Sequence, residues 1–274
     1  MQRALPIMLL AMSLIPAGDS AGKLLTSLFG ASPLFVAWSR FVLGTLMVLP
    51  FLPRGALALL RRPLLWVRAA LLAGGITSIQ TALQTTDVAT VFAAFFVGPL
   101  FSYVLAVAFL GERVTPLRSL LIALGFAGVL LVVRPGLGMT PGLAWALAAG
   151  LFYGGFLTLS RAVTGLAPPL ALIFSQLAIA ALLLLPLGLF ALPAPSLPLV
   201  GLTLASALCS MLGNLLLLYA YRLASATRVA PLVYFQLIAA VLLGWLLFGD
   251  LPDGLTWAGL ALITGAGIAS ARLR

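Results

Sequence analysis

The sequence predicts an all-α integral membrane protein: ten transmembrane helices arranged as two inverted five-helix repeats. Three observations carry that prediction. The 274 residues are 63% hydrophobic and only 7% charged, against roughly 45–50% and about 25% in a soluble domain. A soluble surface of this length cannot be coated with so few polar groups, whereas lipid tolerates an apolar exterior. The apolar residues fall into ten runs, and the first five runs resemble the last five.

Each run approaches the roughly 20 apolar residues that span a bilayer. They cover approximately 4–26, 33–53, 64–85, 88–110, 116–134, 141–161, 168–190, 197–219, 226–248 and 255–272. Pro and Gly mark the joints at Ser32-Pro33, Thr115-Pro116, Arg134-Pro135-Gly136, Pro168-Pro169 and the Pro193/Pro195/Pro198 cluster. The loops are short, and no separate soluble domain is visible. The first run, behind Arg3, has the outline of a signal peptide. Asp19 and Lys23 stand where a cleavage region would lie, so the run reads as a retained helix.

The repeat divides the chain into 1–138 and 139–274. A shift of 136 residues aligns Pro33-Leu34 with Pro169-Leu170, Ser39 with Ser175, and Leu49-Pro50 with Leu185-Pro186. A shift of 138 aligns Gly75 with Gly213 and Gly111-Glu112 with Gly249-Asp250. Five helices per repeat is an odd number, so the second repeat enters the membrane upside down, as in secondary transporters.

Orientation follows from the basic residues. With the N-terminus in the cytoplasm, the inside holds Arg3, Arg54, Arg61, Arg62, Arg68, Arg113, Arg118, Arg161, Arg222, Arg228, Arg272 and Arg274, twelve of the 15 basic residues. The outside holds Arg134, while Lys23 and Arg40 lie within spans. This bias places both termini in the cytoplasm of a bacterial-type inner membrane. It also explains the excess of 15 Lys and Arg over 5 Asp and Glu without nucleic acid as a partner.

Composition excludes several chemistries. Cys209 is the one cysteine and histidine is absent, so no disulfide framework, Cys-based zinc site or histidine proton shuttle is available. The segment Gly18–Leu24 (GDSAGKL) has the look of a phosphate-binding loop. Its spacing is one residue short, Leu24 replaces the needed Ser or Thr, and no strand precedes it. No cofactor and no metal is expected.

Three segments carry a family resemblance: SPLFVAWSRFVLGTLMVLP (Ser32–Pro50), VGPLFSYVLAVAFLGERVT (Val97–Thr115) and ATRVAPLVYFQLIAAVLLGWLLFGD (Ala226–Asp250). Each repeat ends a helix in Gly-Glu or Gly-Asp after an apolar run. The chain resembles the drug/metabolite transporter superfamily, EamA type, and within it the YddG-type exporters of amino acids, especially aromatic ones. The resemblance implies a central cavity surrounded by helices 1–4 and 6–9, with helices 5 and 10 at the periphery.

Asp19, Lys23 and Arg40 are the charges deep inside spans, each costing about 2.5–3.5 kcal/mol or more at the bilayer centre if unpaired. Asp19 and Lys23, four residues apart, share a helix face, and Arg40 lies at similar depth. The three are expected to form one cluster, either a structural ion network or a substrate or gating site. Thr77, Gln80, Thr81 and Gln84 follow one face of the third run, and Ser206, Ser210 and Asn214 follow one face of the eighth. Such faces need partners away from lipid and point inward, to bond neighbouring helices or line the cavity. Tyr103, Tyr153 and Tyr234 join the candidate cavity residues, because a mid-membrane tyrosine suits an aromatic or zwitterionic ligand. Pro99 and Pro231 fall in matching helices and are hinge candidates. Small residues such as Gly150 and Gly154 point to close helix packing inside a monomer rather than to a dimer.

These readings converge on a secondary, non-ATP transporter that exports small metabolites, amino acids including aromatic ones, by alternating access. A multidrug or organic-cation exporter is the alternative. An enzyme needs convergent acids, histidines or a nucleophile, and a channel needs a charged or polar path; neither pattern is present. With cations beside Asp19, a carrier driven by its substrate's own gradient is expected. The partners are a small-molecule substrate and the bilayer.

The topology is directly testable. A reporter fused after Arg274 is expected to read cytoplasmic, and one inserted between Pro193 and Pro198 periplasmic. Both reporters on one side would remove the inverted repeat.

Overall fold

The computed structural model describes residues 4–110, 116–133, 140–223, 233 and 235–272, and these residues form eleven α-helices. They are α1 (Ala4–Phe29), α2 (Pro33–Val48), α3 (Pro63–Leu83), α4 (Val88–Phe95), α5 (Val97–Leu110), α6 (Pro116–Val133), α7 (Pro141–Val163), α8 (Pro169–Leu189), α9 (Leu197–Leu223), α10 (Phe235–Phe248) and α11 (Gly254–Arg272). Two 3-10 turns, Leu49–Phe51 and Ala56–Arg61, carry the chain from α2 to α3. Pro231, Tyr234 and the Gly111-Glu112 joint lie outside the described residues. Seven helical segments are long and apolar enough to cross a membrane, and Ser119–Val132, Phe235–Phe248 and Gly254–Ala269 are shorter apolar helices.

Sequence chemistry sets the helix starts. Pro33, Pro63, Pro141 and Pro169 occupy first-turn positions, where a missing N–H costs nothing. The Ser32 hydroxyl accepts from the Phe35 N–H at 3.1 Å and caps α2. The Asp87 carboxylate accepts from the Thr90 N–H at 2.8 Å, and that of Asp253 from the Thr256 N–H at 2.9 Å, capping α4 and α11. Gly249 closes α10 at φ 70°, a left-handed conformation that a side chain would strain.

The expected ten helices are eleven among the described residues. The fourth run is broken at Phe96 into α4 and α5, and Pro99 is the cause. A proline at 99 cannot donate to the Phe95 carbonyl, and its ring crowds that carbonyl. The break is packed rather than loose. A Cβ on Gly98 would lie 2.5 Å from the Gly150 carbonyl oxygen, and one on Gly150 would lie 2.6 Å from that of Phe95. A Cβ on Gly154 would meet the Gly98 carbonyl oxygen at 2.5 Å. Glycines on both sides thus let the broken segment lie directly on α7.

Helix packing follows a two-fold pattern. α1 lies on α9 as α3 lies on α7, while α2 pairs with α8 and α6 with α11. Exchanging the halves maps each pairing onto another or onto itself. Gly213 of α9 faces Ile15 of α1, and Gly75 of α3 faces Phe152 of α7, so the aligned glycines open equivalent contacts. α6 and α11 meet through Gly128 and Gly259: a Cβ on either would lie 2.8 or 2.7 Å from the other's carbonyl oxygen. Gly265 of α11 has nothing within 4 Å, so the contact is made at Gly259.

Two ends of the bundle differ in charge. One carries exposed Arg54, Arg61, Arg62 and Arg222 and is called here the arginine-rich end. The opposite, arginine-poor end holds the α1–α2, α3–α4 and α10–α11 joints.

The Gly98 contact gives a stability test. Gly98→Ala forces backbone apart and should cost about 1–3 kcal/mol, as overpacking does, lowering the unfolding midpoint in detergent. Gly201→Ala, with open space around it, should leave the midpoint unchanged. Equal midpoints for both variants would contradict the packing account.

Candidate functional site

A buried charge node joins the halves. Arg40 of α2 is 2% exposed and Asp19 of α1 is 4% exposed. The Arg40 Nη1 donates to Asp19 Oδ1 at 2.6 Å, its Nε to the Ser206 hydroxyl at 2.7 Å, and its Nη2 to the Gly18 carbonyl. Ser206 donates in turn to the Gly18 carbonyl at 2.8 Å, and the Gln80 amide donates to Asp19 Oδ1 at 3.1 Å. Gly22 makes room for this: a Cβ there would collide with the Gln80 and Arg40 side chains. Every element of the node is a first-half residue except Ser206 on α9.

Beside the node lies a cavity of about 30 Å³ bounded by α1, α3, α7, α9 and α10, with Phe95 closing from the end of α4. Its polar lining is Asp19, Tyr153, Ser210, Asn214 and Gln236. Phe95 and Tyr153 are tilted against each other at 4.8 Å between ring centroids, and Tyr153 stacks on Phe156 at 5.8 Å. The Gln236 carboxamide is fully buried, and neither its nitrogen nor its oxygen has a hydrogen-bond partner among the described residues. The oxygens of Asn214 and Gln80 are also unpartnered there, while the Asn214 nitrogen donates to the Ser210 carbonyl at 2.9 Å. A buried amide without a partner costs about 1–3 kcal/mol by mutational measure. The Asn214 and Gln236 carboxamides on the cavity wall thus leave donor and acceptor capacity for a polar guest.

Lys23 stands apart from the node. Its ammonium pairs with Asp250 Oδ2 at 3.3 Å, donates to the Thr86 carbonyl at 3.3 Å and sits 4.6 Å over the Phe248 ring. The side chains of the pair are 14% and 30% exposed. The expected single cluster of Asp19, Lys23 and Arg40 is therefore two. The shared helix face holds, but Asp250 arrives from the α10–α11 joint at the arginine-poor end and takes the lysine.

The other sequence candidates separate cleanly. Asp19, Tyr153, Ser210 and Asn214 line the cavity, while Arg40 and Gln80 stand behind Asp19. Thr77 is half-buried on α3 and does not line it. Gln84 is exposed, because α3 stops at Leu83 and the helical face stops with it. Tyr103 is half-buried on α5 and does not line the cavity. Pro99 lies just past the helix break, whereas Pro231 and Tyr234 are outside the described residues. Sequence reasoning missed Gln236, a single polar residue inside an apolar run. Among the described residues, no three His, Cys, Asp or Glu side chains gather as a metal site.

Comparison with known proteins adds the lineage. The profile of the EamA-like transporter family matches the chain twice, over residues 4–134 and 140–270. A riboflavin transporter of Rhizobium johnstonii is 32% identical over 85% of this chain and 78% of its own length. A pseudopaline exporter of Pseudomonas aeruginosa is 29% identical, over 87% of this chain and 86% of its own. An S-adenosylmethionine uptake transporter of Rickettsia prowazekii is 26% identical over 84% and 80%. A protein crystal structure 20% identical to the chain superposes with a TM-score of 0.70, covering 99% of this chain and 96% of that one, which establishes a shared fold. None of the three named relatives is an amino acid exporter.

Removing the acid tests the node. Asp19→Asn leaves the Arg40 guanidinium buried without its carboxylate, a change that typically costs about 3–5 kcal/mol. Folded yield and unfolding midpoint should both fall sharply. A variant with wild-type yield and midpoint would mean that water reaches Arg40.

Proposed function

The chain belongs to the EamA-like transporter family, and from that premise we propose that it is a secondary carrier of a planar, hydrogen-bonding heteroaromatic metabolite, with riboflavin as its first candidate cargo. The observation that carries this reading is the lining of the cavity. Two aromatic rings, Phe95 and Tyr153, stand beside the carboxamides of Asn214 and Gln236. A flat ring packs on aromatics, and a ring edge alternating carbonyl and N–H groups is met by carboxamides, which both donate and accept. Riboflavin has such an edge, and a relative with 32% identity is named a riboflavin transporter.

Amino acids fit this lining less well. A zwitterion needs an opposite charge at each end, yet the charges beside the cavity, Asp19 and Arg40, are spent on each other at 2.6 Å. A permanent organic cation, the multidrug alternative, meets the same obstacle. That pairing also leaves the cavity no unengaged acid among the described residues to move with a proton, so the reading is a carrier driven by its cargo's gradient. The arginine distribution supports an inner-membrane location with both termini cytoplasmic. The named relatives include an exporter and an uptake transporter, and the reading is accordingly of a carrier working about a central site.

Proteoliposomes provide the test. Riboflavin uptake should saturate, show counterflow, and be competed by unlabelled riboflavin but not by tryptophan or tetraphenylphosphonium. Riboflavin fluorescence should be quenched on binding to the purified protein. Gln236→Leu, an apolar swap of similar size, should weaken binding about tenfold or more, as loss of a buried hydrogen-bonding group does. Saturable tryptophan uptake with no riboflavin response would overturn the reading in favour of amino acids.

A further inference from the structure

We propose that Arg68 is a binding site for a small oxyanion, a carboxylate or phosphate group, at the arginine-rich end of the α3–α7–α8 interface. Arg68 lies in the second turn of α3 and is 1% exposed. Its Nε donates to the Ser160 hydroxyl of α7 at 2.9 Å, and its Nη1 donates to the Leu172 carbonyl of α8 at 3.3 Å. The guanidinium lies 5.0 Å over the Phe156 ring. Its Nη2 has no hydrogen-bond partner among the described residues, and no acid among them forms an ion pair with it.

Arg40 shows what is missing. Both arginines belong to the first half, both are buried, and both direct Nε to a serine hydroxyl of the second half, Ser206 or Ser160. Each also donates to a main-chain carbonyl, that of Gly18 or Leu172. Arg40 then completes its set with the Asp19 carboxylate. Arg68 has the same frame, but its Nη2 meets no carboxylate among the described residues. A hydroxyl, a carbonyl and a ring face leave its charge unneutralised, and an uncompensated charge in a low-dielectric interior is costly. An oxyanion that reaches Nη2 would supply both the charge and the acceptor, in the geometry the guanidinium fork favours. Exposed Arg61 and Arg62 precede the same helix and would concentrate anions at its mouth. The inference stands independently of which cargo the central cavity takes.

The full-length protein in neutral phosphatidylcholine nanodiscs is titrated with sodium phosphate against sodium chloride at matched ionic strength, and the unfolding midpoint is read. The midpoint should rise saturably with phosphate. Arg68→Gln should weaken the response about tenfold or more, the loss expected for a charge-assisted bond, while Arg222→Gln, at an exposed arginine on α9, keeps it. A second arm omits phosphate and replaces part of the lipid with phosphatidylglycerol. A rise there that depends on Arg68, with no response to free phosphate, assigns the oxyanion to a lipid headgroup and supports the site. If Arg68→Gln does not fold, Arg68→Lys, which keeps the charge and loses the fork, is read in its place and should also respond more weakly. No midpoint change in wild type in either arm, or a variant that responds as wild type does, would overturn the proposal.

Discussion

The burial of Arg40 is the constraint on which the rest of the structure turns. A guanidinium placed among membrane helices must find a carboxylate and acceptors for its other donors, or the helices around it cannot close. Asp19, the Gly18 carbonyl and Ser206 meet that need. Meeting it fixes where α1, α2 and α9 stand relative to one another. Lipid offers no hydrophobic drive for helices to associate, so small residues and polar bonds must set the arrangement. Gly18 and Gly213 let the backbones of α1 and α9 approach, Gly22 makes room for the Arg40 and Gln80 side chains, and the node then sets their register. The cavity is what remains beside it.

The two-fold exchange of helix pairings is close in packing and broken in chemistry. α1 on α9 and α3 on α7 are equivalent contacts, each opened by a glycine. Yet charge is placed unevenly on that frame. The ion pair of Asp19 and Arg40 belongs to one half, and Arg68 stands with no acid partner among the described residues. Inverted repeats of this kind are the frame on which secondary transporters alternate between two arrangements.

Much of this was legible in the sequence, and the losses have physical causes. Helix existence was readable because apolar run length and N-terminal prolines are local signals; α2, α6 and α8 begin at Pro33, Pro116 and Pro169, prolines that marked their joints. The helix count was not, because a proline marks a weak point without saying whether the surroundings let the helix heal, and here the Gly98–Gly150 approach keeps it open. Face periodicity found Ser210 and Asn214 but failed at Gln84, where the helix had already ended. Lys23 was assigned to the wrong acid because spacing reports only neighbours along one helix, and its partner is 227 residues away. Arg68 was counted among the cytoplasmic-side charges, since sequence position near a helix start does not reveal that it is buried against α7 and α8. Gln236 carried no periodic signal, and its importance comes only from what surrounds it.

The size of the cavity has a kinetic consequence. At about 30 Å³ it has room for little more than a water molecule, whereas pockets for organic ligands run to about 300 Å³ or more. On the proposed reading, an organic guest must wedge apart the lining formed by Phe95, Tyr153 and Gln236, so the rate of loading is governed by how easily that lining yields as much as by how well it grips.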